Sequence, residues 1–353
     1  MAGFDISFYK GKRVFVTGHT GFKGSWLCRM LVHAGAEVTG YALEPSGEHL
    51  LFEKAGIRER IHSVTGDIRD YDSLKKTFDR AEPEIVFHLA AQPIVRESYK
   101  DPRGTYETNV MGTVNILECV RNSRSVRSFL NVTTDKVYKN REWEWGYREN
   151  EELDGYDPYS NSKSCSELIT HSYKRSFLGD GSIAVSTARA GNVIGGGDFA
   201  KDRIIPDCIR AAGRQEIIRV RNPYSVRPYQ HVLEPLTAYL MIAAEQYKNP
   251  DVQGYYNVGP GEENCVTTGE LVGLFCEAWG SGAEWKNCME KDAPHESSFL
   301  KLDCSKIKYT FGWKPRWGIK KSVEMTARFS RVWTAGGNII EEMDREIEEF
   351  LEE

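Results

Sequence analysis

Two tyrosine–lysine pairs in the sequence have a spacing that could support proton abstraction from an alcohol. In each pair the lysine follows the tyrosine by four residues, at Tyr71/Lys75 and at Tyr159/Lys163. Residues four apart share one face of a helix, so the ammonium group can stabilise a phenolate and lower the pKa of the phenol. A phenolate at neutral pH is a general base for a hydroxyl group whose carbon is being oxidised.

The surroundings of the two pairs favour the second as the catalytic one. Tyr71 lies in a charged segment that predicts a surface helix without a chemical role, whereas Tyr159 follows the fifth predicted strand after a loop. That strand ends in a threonine, an acid and a base. Parallel sheets bind ligands at the carboxyl ends of their strands. The predicted catalytic group is therefore Thr134, Asp135, Lys136, Tyr159 and Lys163.

A glycine-rich turn after the first predicted strand could hold a pyrophosphate. Its sequence at 17–24 is T-G-H-T-G-F-K-G, and a helix is predicted to follow. Such glycines permit a tight turn, let backbone N–H groups approach the phosphates, and let the helix pack closely, while the helix N-terminus favours the anion. The candidate cofactor-binding residues of this turn are Gly18, His19, Thr20, Gly21, Phe22, Lys23 and Gly24.

The end of the second predicted strand bears on the choice between NAD and NADP. The usual aspartate is absent there, and Glu44 comes one or two positions late for a ribose contact. The segment also lacks an arginine or lysine that would favour a 2′-phosphate, so we predict NAD, with weaker ribose anchoring. Asp67, after the third strand, is placed to accept from the adenine amino group, or to cap the next helix.

Alternating strands and helices predict an α/β fold with a doubly wound parallel Rossmann sheet and a second, smaller, mixed α/β substrate domain. We assign 1–190 and 230–260 to the dinucleotide domain, and 191–229 and 261–353 to the second domain. A terminal helix is predicted over the last ~30 residues. The other predicted elements are strands at 13–17, 37–43, 61–65, 84–89, 128–134, 183–190 and 255–258, and a helix at 268–279.

Composition excludes several classes of protein. The 353 residues include 46 basic and 51 acidic side chains, a net charge of −5, so non-specific binding to nucleic acid is not expected. The eight scattered cysteines contain no C-x-x-C pair, which predicts free thiols and no metal site. The sequence contains no signal-peptide pattern and no apolar run of membrane-spanning length, so we expect a cytoplasmic protein without membrane contact.

Five motifs together resemble the extended short-chain dehydrogenase/reductases that act on nucleotide sugars, and the resemblance covers nearly the whole chain. They are the glycine turn, H-L-A-A-Q at 88–92, T-N-V-M-G-T at 108–113, T-D-K at 134–136, and Tyr159/Lys163. Lys136 stands where many relatives carry glutamate. Together with the tryptophan-rich segment 142–147 and the segment 225–231, it resembles the branch of 4,6-dehydratases that use CDP-D-glucose.

The resemblance implies a dehydration by internal redox with bound NAD. Tyr159 would deprotonate the sugar 4-hydroxyl while hydride leaves carbon 4, helped by Lys163 and by a hydrogen bond from Thr134. Water would then leave across carbons 5 and 6, and hydride would return to carbon 6. Asp135 would protonate the departing hydroxyl. Lys136 would remove the carbon-5 proton if neutral, or act electrostatically if it stays charged beside Asp135.

The resemblance also implies further binding residues and a partner chain. Additional cofactor contacts would come from Asp67, Ile68, Leu89, Ala90, Ala91 and Thr108, with Tyr159 and Lys163. The CDP-glucose contacts would come from Gln92, Asn192, Arg203, Arg227, Tyr229, His231 and Glu296, although Tyr229 and His231 could merely pack. Helices near 104–123 and 159–178 would pair with their copies in a homodimer or homotetramer.

Three other functions remain open from the sequence. The nearest is a 4,6-dehydratase for TDP-glucose or GDP-mannose, because no motif visibly distinguishes the bases. A nucleotide-sugar 4-epimerase would share the cofactor, Tyr159 and Lys163, but would not need Asp135 and Lys136. A non-catalytic module that senses NAD is the most distant alternative, and the intact tyrosine–lysine pair is evidence against it.

Overall fold

A parallel sheet of seven strands forms the centre of the described part of the chain. The structure is a computed structural model, and it describes residues 4–45, 51–179, 181–201, 203–280, 282–289 and 300–353. The strand order is β3-β2-β1-β4-β5-β6-β11, so the chain changes direction across the sheet between β1 and β4. In doubly wound sheets, ligands bind at the carboxyl ends of the strands beside such a change. The predicted fold class is confirmed.

The strands of the central sheet end within one or two residues of the sequence-based predictions. They are β1 Arg13–Thr17, β2 Glu37–Ala42, β3 His62–Thr65, β4 Ile85–His88, β5 Ser128–Thr134, β6 Ala184–Ala190 and β11 Tyr255–Val258. Six short strands form three separate pairs. They are β7 Val193–Ile194 with β10 Gln230–His231, β9 Val226–Pro228 with β12 Cys265–Thr267, and β8 Ile218–Val220 with β13 Trp285–Asn287.

Helices cover both faces of the sheet. In chain order they are α1 Phe22–His33, α2 Leu51–Lys54, α3 Tyr71–Ala81, α4 Val95–Lys100, α5 Pro102–Tyr106, α6 Gly112–Arg121, α7 Pro158–Phe177, α8 Ile204–Gly213, α9 Leu233–Lys248, α10 Thr268–Trp279, α11 Ser305–Phe311, α12 Ile319–Thr334 and α13 Ile339–Glu352. A π-helical turn at Glu107–Met111 joins α5 to α6. Every residue of β4 and β5 is buried, as expected for parallel strands packed on both faces.

Two helix starts that position the site follow from local sequence. Asp157 caps α7 by accepting from the Ser160 N–H, and Pro158 occupies the first helical position, where its missing donor costs nothing. Thr267 and Glu270 form a reciprocal capping box at the start of α10. The catalytic helix α7 therefore begins one residue before Tyr159.

The prediction of one terminal helix over the last ~30 residues is wrong. The chain forms α12 and α13 there, separated by a short turn. Gly336 has a φ of +70°, which ends α12, and the Asn338 side chain accepts from the Ile340 N–H to begin α13. The apolar pattern continues through this turn, so periodicity alone could not locate the break.

A separate apolar core lies between α8, α10 and α12, beside the short strand pairs. Two elements that follow α8 in the chain belong to the central sheet instead. Helix α9 packs on β5 and β6, and strand β11 pairs with β6 at the edge of the sheet. The division into two domains with interleaved boundaries stays a prediction.

All eight cysteines lie in the described residues, and each is a free thiol. Within the same residues, no helix is long and apolar enough to cross a bilayer.

Candidate active site

Thr134, Asp135 and Tyr159 meet at the carboxyl end of β5. The Thr134 hydroxyl donates a hydrogen bond to Asp135 Oδ1 at 2.9 Å. Thr134 is also hydrogen-bonded to the phenol of Tyr159, one residue inside α7. The structure therefore brings the threonine and the acid at the end of β5 together with the phenol on α7, although a long loop separates the two elements in the sequence.

Asp135 is a buried carboxylate with one unused oxygen. The side chain of Asp135 is 1% exposed, and Lys136 Nζ lies 4.0 Å from Oδ1 while remaining 35% exposed. Asp135 Oδ2 is also buried, and it has no hydrogen-bond partner among the described residues. A buried polar atom without a partner is costly. This oxygen is therefore available to a ligand group that donates or shares a proton.

The predicted lowering of the phenol's pKa is not found in this structure. Burial raises the pKa of Tyr159 to about 12, although the Thr134 hydrogen bond and the Arg203 charge oppose it. Lys163 Nζ donates instead to the Val132 carbonyl at 3.2 Å, so it does not contact the phenol directly. A positive charge brought beside the phenol would be needed to favour phenolate at neutral pH.

Lys23 lies in a cluster of charged side chains formed by Arg203, Lys163, Lys136 and Asp135. Burial lowers the pKa of Lys23 and of Lys163 to about 8 each. Lys23 also experiences the repulsive charges of Arg203, Lys163 and Lys136, while Asp135 opposes them. A cluster of one carboxylate and four cations has a positive local charge, which favours anionic ligands. The net charge of −5 for the whole chain does not reveal this local excess.

The glycine turn leaves room for a pyrophosphate over the start of α1. Gly18 has a φ of +76°, and a Cβ atom there would lie 2.8 Å from the Ala90 backbone nitrogen. A Cβ atom on Gly24 would lie 2.1 Å from the Gly18 oxygen, whereas one on Gly21 would meet only that oxygen, at 3.5 Å. Gly21 caps α1 without a side-chain hydrogen bond, so the first N–H groups of the helix can bind an anion.

Two carboxylates near the predicted adenosine site are already paired. Glu44 accepts from Thr65 Oγ1 and from the Arg58 guanidinium, both at 2.6 Å. Arg58 comes from outside the β2 segment, so the sequence did not reveal a cation at this position. Asp67 accepts from the N–H and the guanidinium of Arg69, which lowers the pKa of its carboxyl group. The alternative that Asp67 caps α3 is wrong, because Asp70 does so.

The H-L-A-A-Q segment is held by internal hydrogen bonds behind the glycine turn. The His88 ring bonds Thr17 Oγ1 and Thr113 Oγ1, and burial lowers the pKa of His88 to about 3. The Leu89 and Ala90 N–H groups both donate to Thr17 Oγ1. These contacts fix the chain beside Gly18, which is where the prediction puts a cofactor contact.

Gln92 was predicted to contact substrate, but the structure uses its side chain internally. Its Nε2 donates to Thr105 Oγ1 at 2.9 Å, and its Oε1 accepts from the Ile94 N–H at 2.6 Å. Asn109, in the π-helical turn, bonds the Gln92 backbone and Ser162 Oγ. Asn109 thus connects this loop to α7. The T-N-V-M-G-T motif contains Asn109, but the motif alone does not indicate this role.

His231 and Tyr229 are buried in the structure, and their contacts favour the alternative that these two side chains pack in the interior. His231 is fully buried, with Nε2 2.8 Å from Glu346 Oε1 on α13 and its ring 4.9 Å from that of Trp317. Tyr229 lies in the core between α8 and α10, and its hydroxyl bonds Thr268 Oγ1 at 3.2 Å.

The remaining predicted residues fall into three groups. Arg203 lies close enough to Tyr159 to influence its pKa, and it is ion-paired with Asp198 at 2.9 Å. Arg227 is 9% exposed in β9, and Asn192 follows β6, where its carbonyl accepts from the Gln230 N–H. Glu296 lies outside the described residues. Ile68, Ala91 and Thr108 lie in the segments that follow β3 and β4 and in the π-helical turn, respectively.

The first tyrosine–lysine pair, Tyr71 and Lys75, lies on α3. Lys75 is ion-paired with Asp79 on α3. Tyr71 is the first residue of the same helix.

Comparisons with known proteins identify the family. A model of the GDP-mannose 4,6 dehydratase family matches residues 15–326. The chain belongs to this family, and the resemblance to nucleotide-sugar dehydrogenase/reductases is confirmed. The CDP-glucose 4,6-dehydratase of Salmonella typhimurium is 46% identical over 98% of both chains.

Solved structures show the same fold at lower identity. The dTDP-glucose 4,6-dehydratase of Bacillus anthracis, in complex with NAD, has a TM-score of 0.76 and 22% identity, covering 90% of this chain and 96% of its own. The UDP-glucose-4-epimerase of Stenotrophomonas maltophila, with bound NAD, has a TM-score of 0.80 and 21% identity, covering 92% and 99%.

Proposed function

We propose that this protein converts CDP-D-glucose to CDP-4-keto-6-deoxy-D-glucose with bound NAD. The observation that carries the proposal is the 46% identity, over 98% of both chains, to a CDP-glucose 4,6-dehydratase. The described residues add a suitable site, in which Thr134, Asp135 and Tyr159 meet within a cluster of cations.

The glycine turn fits a dinucleotide. The open N-terminus of α1 offers uncapped N–H groups, and the absent Cβ atoms at Gly18 and Gly24 allow the turn its close contacts. Glu44 and Glu53 both pair with Arg58, which neutralises the cation that would otherwise favour a 2′-phosphate and so supports NAD. When bound, NAD would accept hydrogen from sugar carbon 4 and later return it to carbon 6.

Tyr159 is the base for the 4-hydroxyl in this proposal. Its raised pKa means that the phenol starts protonated, so the catalytic form must be created by positive charge that arrives with the ligands. Thr134, already hydrogen-bonded to the phenol, would orient the 4-oxygen. Lys163 lies one turn after Tyr159 on α7, and it would add positive charge near the phenol if its ammonium group left the Val132 carbonyl.

Asp135 and Lys136 share the proton that the elimination needs. In the structure Lys136 Nζ lies 4.0 Å from Asp135 Oδ1. Transfer of a proton from Lys136 to Asp135 produces a neutral amine and a neutral carboxylic acid. The amine can then take the carbon-5 proton, and the acid can protonate the departing 6-hydroxyl.

Substitution of Lys136 separates this role from a purely electrostatic one. We expect both Lys136→Met and Lys136→Arg to reduce exchange of the carbon-5 proton with solvent deuterium by about 100-fold, because arginine keeps the charge but cannot lose its proton. The measurement is NMR of substrate incubated in D₂O. Exchange that persists in the arginine variant would instead assign Lys136 an electrostatic role.

The substrate diphosphate is assigned to the cation cluster and to two neighbouring side chains. Arg203 provides charge near Tyr159 and near Lys23, while Arg227 lies in β9 and Asn192 follows β6. Arg203 would exchange its contact with Asp198 for the diphosphate.

His231 provides a check on this assignment. We expect His231→Ala to reduce the free energy of unfolding by about 3 kcal/mol, because it leaves Glu346 buried without its partner. The KM for CDP-glucose should stay within about twofold of wild type, since the side chain is remote from the site. Thermal unfolding and steady-state kinetics measure the two effects. A large KM increase with unchanged stability would return His231 to the substrate site.

A homodimer or homotetramer is the expected assembly. The helices predicted to pair, α5–α6 and α7, carry exposed apolar side chains at Met111, Leu168 and Phe177, which are 50%, 52% and 55% exposed. Pairing of these helices with a second copy would remove such side chains from water. Light scattering of wild type and of Leu168→Glu tests the assembly, and an unchanged mass for the variant would exclude α7 from the interface.

The substrate assignment is tested by assaying CDP-glucose, TDP-glucose and GDP-mannose side by side. A 4-keto-6-deoxy product absorbs strongly in alkali, whereas a 4-epimer does not. Faster turnover of TDP-glucose than of CDP-glucose would overturn the choice of substrate, and an epimer without keto product would overturn the reaction.

A further inference from the structure

A buried ion pair joins the catalytic helix to the central sheet. Glu167 lies on α7, one turn after Lys163, and Arg189 lies on β6. The Arg189 guanidinium is 2.9 Å from Glu167 Oε2, and the two side chains are 2% and 1% exposed. Charges removed from water to this degree are unfavourable unless their remaining polar atoms are satisfied, and a hydrophobic pair would often be as stable. The mechanism proposed above does not use either residue.

Both oxygens of the Glu167 carboxylate accept hydrogen bonds from neighbouring strands, β5 and β6. Oε1 accepts from the Thr133 hydroxyl at 2.5 Å, and Oε2 accepts from the Thr187 hydroxyl at 2.7 Å. Thr133 directly precedes Thr134 in β5. The carboxylate therefore fixes α7, which carries Tyr159, against the strand that carries Thr134.

Arg189 fixes the other side of the same strand end. Its NH1 donates to the Tyr138 hydroxyl at 2.8 Å and to the Glu149 carbonyl at 3.0 Å. The Tyr138 hydroxyl in turn donates to Asn257 Oδ1 on β11 at 2.7 Å. Thr133 and Tyr138 flank the segment 134–136, so the ion pair holds that segment from both ends.

The ion pair also acts on the charge of Lys163. Burial lowers the pKa of Lys163, and the Glu167 carboxylate is the charge that opposes this effect. The other groups that face Lys163 are Tyr159 on its own helix, His88 on β4 and Lys23 on α1, together with the carbonyl of Val132. Neither Lys23 nor His88 can stabilise an ammonium ion, because the first is cationic and the second is held neutral.

We propose that Glu167 and Arg189 are a positioning pair, which holds α7 in register with the segment 134–136 and keeps Lys163 in its cationic form. The first role rests on the proposed function, because its readout is turnover of CDP-glucose. The second can be measured without any substrate.

Three variants test the charge on Lys163 directly. Glu167→Gln removes the carboxylate and leaves Arg189 unpaired, so the pKa of Lys163 should fall by at least about half a unit. Arg189→Met leaves the carboxylate unpaired and should raise that pKa by a comparable amount, and the double variant should lie between the two. The pKa values are read from ¹³Cε and ¹⁵Nζ lysine NMR, with the Lys163 signal assigned by its loss in Lys163→Arg.

Opposite shifts in the pKa of Lys163 cannot result from simple loosening of the core, because loosening would shift this pKa in the same direction in both variants. Shifts of the same sign, or no shift in either variant, overturn the electrostatic role. Glu118→Gln is the matched control, because Glu118 is a helical glutamate that also pairs with an arginine but lies on α6. It should leave the pKa of Lys163 unchanged.

Kinetics test the positioning role. Glu167→Gln should lower kcat for CDP-glucose at least about tenfold with little change in KM, because misplacement of catalytic groups affects the reacting geometry more than binding. If that variant does not fold, Thr133→Val tests the same contact: it removes one hydrogen bond, keeps both charges, and should lower kcat while the pKa of Lys163 stays the same. A normal kcat in Thr133→Val overturns the positioning role. If wild type fails to turn over CDP-glucose, the proposed function fails, while the NMR measurement still decides the charge role.

Discussion

Tyr159→Phe should abolish turnover of CDP-glucose while leaving the fold and NAD binding intact. The phenol is hydrogen-bonded to Thr134 beside the buried Asp135 carboxylate, and it is the group assigned to take the 4-hydroxyl proton. Loss of a positioned general base typically costs about 10²–10⁴-fold in rate, and we expect kcat to fall at least about 10³-fold. Steady-state assays, thermal unfolding and NAD titration together measure this result.

Tyr71→Phe is the matched control, because Tyr71 also precedes a lysine by four residues but lies at the start of α3. That variant should keep wild-type kinetics. Substantial turnover in Tyr159→Phe, or an equal loss in Tyr71→Phe, would contradict the assignment of the base.

The second large effect is expected at the glycine turn. Gly24→Ala places a Cβ atom 2.1 Å from the Gly18 oxygen and 2.7 Å from His19 Cα, where only backbone movement can relieve the clash. Overpacking of this kind typically costs about 1–3 kcal/mol, and the distorted turn can no longer present its N–H groups to a pyrophosphate. We expect a lower unfolding temperature and no measurable NAD binding.

Gly21→Ala provides the comparison within the same turn. Its Cβ atom would meet only the Gly18 oxygen, at 3.5 Å, so the unfolding temperature without NAD should match wild type. Weaker NAD binding in this variant would show that the cofactor itself approaches Gly21. Tight NAD binding to Gly24→Ala, measured by calorimetry, would contradict the placement of the dinucleotide.

The parts of the fold determined by local pattern were predictable. Buried parallel strands produce short apolar runs, and β1, β5 and β11 were predicted with their observed limits. The strand end and the helix start that carry the candidate site were also predictable, because both are local features. The fifth strand and α7 converge at one sheet edge, as parallel topology requires.

The features that the sequence did not reveal are contacts between residues distant in sequence. His231 was considered a substrate contact, but its partner Glu346 lies more than a hundred residues away, and no local signal connects them. Likewise, the cation at Glu44 comes from Arg58, which follows the segment where a phosphate-binding residue was sought. The pKa of Tyr159 depends on burial, which the spacing to Lys163 does not reveal.

The central claim is an internal redox dehydration, and CDP-glucose labelled with deuterium at carbon 4 tests it most directly. The account predicts a 4-keto product that carries the deuterium in its carbon-6 methyl group, without added reductant. The product is analysed by NMR and mass spectrometry. Deuterium retained at carbon 4 of an epimer, or a keto product whose methyl group lacks deuterium, would contradict the account.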